Sequence, residues 1–294
     1  MFIDVHAHIN DEKLFDDAKK IVKNANDAGV EKIICSASDL SSSQKAVLLA
    51  EKYNCVYATV GIHPEDCFSC DENSLKEISS LAKNKKVVAI GEIGLDYYNI
   101  KYQKEDLEKE GKFLTFEEIK EKQKDVFKKQ ISLAYERDLP IVVHTRDAIG
   151  DTLQILKDNK NLLGSGGLIH CYSGSVESAK EFFDLGFYIS VGGVITFKNS
   201  VNIQNVIKTL GIERVMLETD CPYLSPEPFR GKLNEPKNIP LVADKISNIL
   251  EILPEKVGEI TSQNAKKLFR KMIWLKILNL TKNLGKTFCR TETF

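Results

Sequence analysis

Eight short runs rich in β-branched residues recur along the chain with helical segments between most of them, and this alternation restricts the fold to a repeated strand–helix unit. The runs are Phe2–His8, Lys32–Ser36, Val56–Gly61, Val87–Ile93, Pro140–His144, Gly167–Cys171, Tyr188–Val191 and Arg214–Glu218. Most lack clean polar/apolar alternation, so they read as strands buried on both faces, as in a parallel sheet. The intervening segments carry helical period. Phe15, Ala18, Ile21, Val22 and Ala25 make one apolar stripe that stops at Gly29. Thr115 with Glu118 forms a capping box before a helix bearing Val126, Ile131 and Ala134, which ends before Pro140. Ser175 opens another with Ala179, Phe182 and Phe183, closed by Gly186.

Such a repeat builds either a closed (β/α)₈ TIM barrel or a long doubly wound sheet. The noteworthy polar residues sit at the C-terminal ends of most strands, which is the active face of a barrel. A doubly wound sheet would gather them at one crevice. The expectation is therefore a single barrel over residues 1–270 with two additions. Residues 99–116 form a charged insertion after the fourth strand, expected as a surface lid or hairpin. Residues 271–294 form a basic extension holding the only tryptophan, Trp274, expected as a helix packed on the barrel and then a frayed end.

Lys and Arg total 41 against 42 Asp and Glu, a net charge of −1, so the chain lacks the broad basic face of a protein that grips long nucleic acid. Chemistry on a polyanion must then be local. Met1-Phe2-Ile3-Asp4-Val5-His6 reads as a core strand rather than a signal peptide, and the apolar stretch from Met272 to Leu280 is broken by Lys276 and too short to span a bilayer. Seven cysteines without a regular framework suit a reducing compartment, so a cytoplasmic protein with no membrane partner is expected. The oligomeric state stays open, and a monomer is compatible with everything here.

All five histidines, His6, His8, His63, His144 and His170, lie at or just after these strand ends. His6 and His8 alternate on one strand and so point to one side, where two imidazoles can grip a cation. Glu92, inside Ala-Ile-Gly-Glu-Ile-Gly-Leu-Asp, is a carboxylate whose burial would be costly without a positive partner. Asp220 follows Val-Met-Leu-Glu-Thr at another strand end. Ordinary hydrogen bonds can satisfy any one of these groups; their joint placement favours one metal site. Six candidate ligands, His6, His8, Glu92, His144, His170 and Asp220, exceed what one catalytic metal takes and suit two divalent cations sharing a carboxylate, with Mg²⁺, Mn²⁺ and Zn²⁺ all compatible. Two such cations with two anionic ligands would leave an excess of about +2, which attracts a phosphate ester.

Phe-Ile-Asp-Val-His-Ala-His at 2–8, Gly-Ile-His-Pro at 61–64, Gly-Glu-Ile-Gly-Leu-Asp-Tyr at 91–97, His-Thr-Arg-Asp-Ala at 144–148, Ile-His-Cys-Tyr-Ser-Gly at 169–174 and Glu-Thr-Asp-Cys-Pro-Tyr-Leu at 218–224 stand in order along the chain. With Arg230-Gly231 and Asn234-Glu235-Pro236 they resemble the TatD-related deoxyribonucleases, a branch of the metal-dependent hydrolase superfamily, from Met1 to about Phe269. The resemblance implies that His6, His8, Glu92 and Asp220 hold one metal while Glu92, His144 and His170 hold the other. It implies DNA as substrate, commonly by 3′→5′ exonuclease action on single-stranded ends, with other esters such as aminoacyl-tRNA as the alternative. In the expected mechanism water activated between the two metals attacks phosphorus in line, with Asp220 orienting or deprotonating it. His63 is expected to hydrogen-bond the phosphate or leaving group, or else to be a structural residue before Pro64. Arg230 is expected to contact phosphate, Arg146 to do so or to bridge a carboxylate, and Asp96 to support the Glu92 loop. Binding at a strand end should depend only modestly on salt. Cys67 and Cys70 are read as loop thiols, and Cys171 and Cys221 as packing residues.

Overall fold

The computed structural model describes residues 1–272, and the remainder of the basic extension, Trp274 included, lies outside the described residues. Eight strands form one parallel sheet in sequence order: β1 (Phe2–Ala7), β2 (Val30–Cys35), β3 (Val56–Val60), β4 (Val87–Asp96), β5 (Ile141–Arg146), β6 (Gly167–Ile169), β7 (Phe187–Val191) and β8 (Val215–Leu217). The helices are α1 (Ala18–Asp27), α2 (Leu40–Lys52), α3 (Glu72–Leu81), α4 (Ile100–Lys109), α5 (Phe116–Glu136), α6 (Ile149–Asp158), α7 (Val176–Asp184), α8 (Val201–Leu210), α9 (Ile239–Leu250) and α10 (Pro254–Leu268). A helix thus follows every strand, with α4 and α10 added to the repeat. This is the (β/α)₈ TIM barrel expected from the alternation. The capping box of Thr115 and Glu118 and the Ser175 cap both form. No helix among the described residues is long and apolar enough to cross a membrane.

Strand periodicity explains how the core and the site share one barrel. Val5, Ile34, Tyr57, Val88, Val142, Leu168, Tyr188 and Met216, one from each strand, form a cluster of their own. Their neighbours Ile33, Cys35, Val56, Val87, Ile141, Val143, Phe187 and Val215 pack instead with the helices. The first set fills the barrel interior, and Leu268, Phe269 and Met272 from the end of α10 onward close its floor. Side chains two residues on along a strand point the same way. On six of the eight strands the residue in the next layer toward the mouth is therefore polar: Ser36, Thr59, His144, His170, Ser190 and Glu218.

Two irregularities bring further residues into that layer. The register of β1 against β2 shifts between Asp4 and Ala7, so His6 faces inward although Val5 does too. The register of β4 against β5 shifts between Ile90 and Ile93, around Glu92. Gly91 allows this close approach, because a Cβ there would stand 2.7 Å from the Cβ of Val142.

The seam between β8 and β1 is closed beyond the regular ladder. Asp220 donates its backbone N–H to the His6 carbonyl at 2.9 Å, and His8 donates to the Cys221 carbonyl at 2.7 Å. The buried Asp4 carboxylate accepts from the Thr219 N–H at 3.0 Å, the Thr219 hydroxyl at 2.6 Å and the His6 N–H at 3.2 Å. Three ligand candidates are thus carried by the seam itself.

The insertion, expected as a surface lid or hairpin, forms a helix and not a hairpin. Ile100–Lys109 is a helix, supported by i,i+4 pairs of Lys104 with Glu108 and Lys101 with Glu105, and it buries Gln103 and Leu107. Gln103 donates to the carbonyls of Pro64 (3.1 Å) and Glu65 (2.8 Å) and accepts from Gln123 at 3.0 Å. The segment buttresses the loop after β3, in which His63 caps the turn Pro64–Ser69.

Candidate metal centre

The six predicted ligands converge. Glu92 stands at the middle, and its two oxygens divide the others. Oε2 lies 3.3 Å from His6 Nε2 and 3.7 Å from His8 Nε2, while Oε1 lies 2.6 Å from His170 Nε2 and 3.0 Å from His144 Nδ1. Asp220 Oδ1 faces His8 Nε2 at 3.3 Å and His6 Nε2 at 3.8 Å. Its backbone has φ +54°, a left-handed turn that aspartate tolerates better than most residues. His6, Glu92 and His170, and separately His6, His8 and Asp220, bring donor atoms close enough to share one cation.

Hydrogen bonds behind the rings establish which nitrogens face inward. His8 Nδ1 lies 3.1 Å from the Ser36 carbonyl and His144 Nε2 lies 3.0 Å from Asp96 Oδ2. Both partners only accept, so these nitrogens carry protons and donate. In the neutral rings, His8 Nε2 and His144 Nδ1 then present lone pairs to the centre. Yet His8 Nε2 stands 3.2 Å from His6 Nε2, and His144 Nδ1 stands 3.1 Å from His170 Nε2 and 3.0 Å from a carboxylate oxygen. Lone pairs and carboxylates so crowded repel unless positive charge lies among them. The donor set fits divalent cations, held by nitrogen and oxygen, with rings oriented from behind.

Without a metal, protons take that place. Burial disfavours the His8 cation, but the Asp220 carboxylate and Glu92 outweigh it and raise the ring to about 9. His144 is likewise opposed by burial and raised to about 9 by Asp96 and Glu92. His6 is lowered to about 4 by burial and by His170, whose ring stacks on it at 4.1 Å. Burial works against ionisation of Glu92, and the surrounding imidazoles still hold its carboxyl well below the ordinary range.

Metal uptake must therefore displace protons from His8 and His144, and apparent Zn²⁺ affinity should climb from neutral pH to about 9, then level off. Each displaced proton contributes roughly tenfold per pH unit. Calorimetric titrations in buffers of different ionisation enthalpy count the protons released; none released at neutral pH would refute the assignment.

The other sequence-based candidates lie around this centre. His63 Nε2 is 3.6 Å from Glu92 Oε1, and its Nδ1 accepts from the Glu65 N–H at 3.2 Å. A neutral His63 consequently carries its proton on Nε2, aimed inward as a donor, and burial keeps it neutral by lowering it to about 3. Asp96 backs His144 and also accepts from the Asn99 N–H at 2.7 Å. Arg146 forms no ion pair with a carboxylate among the described residues; its guanidinium lies 3.8 Å over the Tyr98 ring. Arg230 lies 4.3 Å over Phe197. Cys67 and Cys70 are free and buried, and Gln103 donates to the Cys67 sulfur. Cys221 is buried and Cys171 half-buried, and no cysteine joins a candidate metal cluster among the described residues.

Sequence reasoning missed Asp4 and Glu218, both fully buried. The signal was available: each is a carboxylate within an apolar run, the argument that singled out Glu92. Asp96, held below the ordinary carboxylate range by His144 despite burial, and Glu218, raised by burial to about 7, stand behind the imidazoles, while burial raises Asp4 well above the ordinary range. Of the three, Asp96 alone carries its full negative charge at neutral pH.

Residues 3–270 match the family model described as TatD related DNase. YabD of Bacillus subtilis (strain 168), an uncharacterized metal-dependent hydrolase, is 40% identical over 270 residues, which cover 92% of this chain and 99% of YabD. YcfH of Escherichia coli (strain K12), also an uncharacterized metal-dependent hydrolase, is 32% identical over 271 residues, 91% of this chain and 95% of YcfH. The crystal structure of YJJV, a TatD homolog from Escherichia coli K12, has a TM-score of 0.81 at 29% identity, covering 92% of this chain and 98% of the other. A barrel whose strand ends assemble a cation-demanding cluster, matched over nearly its whole length in this way, belongs to the TatD-related DNase family of metal-dependent hydrolases.

Proposed function

We propose that the chain is a deoxyribonuclease that uses two divalent cations, Mg²⁺, Mn²⁺ or Zn²⁺, to shorten single-stranded DNA from its 3′ ends in the cytoplasm. The observation that carries the substrate class is the rim of the mouth. Large exposed apolar side chains concentrate on the loops after β4 and β8, among them Tyr98, Tyr102, Tyr223 and Phe229. Cations lie over rings there: Arg146 on Tyr98, Arg230 on Phe197, Lys13 on Tyr223 and Lys232 on Phe229. Interleaved aromatic and cationic groups suit an unpaired strand, whose bases stack while its phosphates meet positive charge. A net charge of −1 leaves little to hold a long duplex. The described cysteines are all free, which agrees with a reducing compartment.

When bound, the cations would polarise the phosphodiester and lower the pKa of water at the site. The chain's own groups would do the rest. Glu92, with one oxygen toward His6 and His8 and the other toward His144 and His170, is the ligand suited to serve both ions. Asp220 has the more accessible ligand carboxylate, at 16% against 5% for Glu92, and is placed to orient the attacking water and accept its proton. His63 would donate its Nε2 proton toward the phosphate or the departing oxygen, and Arg146 and Arg230 would position the strand.

A 5′-labelled single-stranded oligonucleotide with Mg²⁺ or Mn²⁺ should yield a ladder of products shortened from the 3′ end, and blunt duplex should be cut more slowly. Turnover of aminoacyl-tRNA or bis(p-nitrophenyl) phosphate without any cleavage of DNA would assign the centre to another ester. His63→Ala should retain its metal content while losing about 10²–10⁴-fold in kcat, the usual worth of a positioned proton donor. Metal analysis beside the rate measurement decides this, since a loss of metal would make His63 a ligand.

A further inference from the structure

Four of the five imidazoles at the mouth have a hydrogen-bond partner on the nitrogen turned away from the centre. His6 Nδ1 meets the Ser36 hydroxyl at 3.1 Å, His8 the Ser36 carbonyl, His144 Asp96 and His63 the Glu65 N–H. His170 is the exception. Its Nδ1 is buried without a hydrogen-bond partner. Glu218, also fully buried, has Oε1 without a partner, while its Oε2 accepts from the Ser190 hydroxyl at 2.5 Å. The His170 Nδ1 to Glu218 Oε2 separation is 4.0 Å. Two orphaned groups of complementary kind, side by side in one layer of the barrel, need explanation, because a buried polar group left unpaired has lost its water without gaining a partner.

We infer that Glu218 is a positioning residue for the metal centre, orienting His170 through its Nδ1–H, directly or across one water. Once a cation takes His170 Nε2, which faces Glu92 at 2.6 Å, the ring proton belongs on Nδ1, and Glu218 is the acid nearest to it. Ser190 holds the carboxylate in place from β7 while β8 supplies it. The carboxylate orients the ring, makes its inner nitrogen a stronger donor and adds negative charge beneath the cations. Asp96 does the same for His144 at 3.0 Å, so His144 and His170, the two ligand candidates on the Oε1 side of Glu92, are each backed by an acid. This rests on the metal-site reading alone and is independent of the substrate.

The test uses the full chain and Zn²⁺ or Mn²⁺ alone. Glu218→Leu removes both acceptor and charge, and Glu218→Gln keeps an acceptor without the charge. Metal affinity, measured by competition with a chromophoric chelator, should fall about 10–100-fold in the leucine variant and less in the glutamine variant. Metal-free stability should move the other way. An uncompensated buried carboxylate is costly, so the leucine variant should unfold at a temperature no lower than the parent. A residue that merely packs the barrel would lower stability and leave affinity alone. In ¹⁵N-histidine spectra of the Zn²⁺-loaded glutamine variant, the His170 Nδ1–H resonance should shift while the His8 Nδ1–H and His144 Nε2–H resonances should stay. Parental metal affinity in both variants overturns the inference; should the leucine variant not fold, an unshifted Nδ1–H in the glutamine variant does so. Either result leaves the nuclease reading standing, since DNA takes no part in the measurement.

Discussion

Glu92→Ala should leave a folded barrel that binds substoichiometric metal and hydrolyses no faster than free metal in buffer. Glu92 is the carboxylate in contact with both halves of the cluster, within 3.7 Å of His6, His8, His144, His170 and His63. On the two-metal proposal its loss would remove a ligand atom from each half and the anion that would offset the cations in a buried space. The expected loss of affinity exceeds the roughly 100-fold that marks removal of a group behind a ligand. Metal analysis of protein purified from Zn²⁺- or Mn²⁺-supplemented medium gives the stoichiometry, and the oligonucleotide ladder gives the rate. Full occupancy with normal affinity would sink the bridging assignment. Glu92→Gln separates shape from charge: the amide keeps the volume and one acceptor, so retained folding with weakened metal would trace the effect to the lost anion.

Asp4→Ala should bring the largest loss of stability of any single change at the mouth, although Asp4 is no ligand. Its carboxylate takes three donors, the Thr219 N–H, the Thr219 hydroxyl and the His6 N–H, in a fully buried seam. Alanine would strand all of them, and a loss of about 3–5 kcal/mol follows from stranded buried donors and a cavity together. The same change should weaken metal binding, because the seam holds Asp220 against His6 through their backbones at 2.9 Å. Urea unfolding of the metal-free protein measures the first effect and chelator competition the second. A stability loss below about 1 kcal/mol would mean that the seam is held by the ladder and not by Asp4.

Much of this molecule was legible beforehand because its signals are local. Strand–helix alternation set by apolar runs, Gly29 and Gly186 as stops, and the Thr115–Glu118 box each act within a few residues, and the structure shows them where the sequence placed them. The insertion was harder to read, since a charged stretch suits a helix or a hairpin until something covers one side. Gln103 and Leu107, four residues apart, find that cover only because the loop after β3 lies beside them. Arg146 shows the same limit: a carboxylate partner was a fair expectation, but its position across from Asp96 on β4 brings it over Tyr98 instead.

By itself the sequence determined the number of strands, their burial on both faces and the kinds of donor at their ends, since these follow from period and residue type. Only the closed barrel decided that Val5 and His6 share an inward face, that Glu92 turns one oxygen to each group of imidazoles, and that Asp4, Asp96 and Glu218 stand behind the ligands. The physical reason is that the register shifts are set by pairing between strands about 30 and about 50 residues apart, and the β8–β1 seam by pairing across more than 200, Asp4 and Thr219 being separated by 215. Ring tautomers and proton affinities depend in turn on those pairings, and no local pattern encodes them.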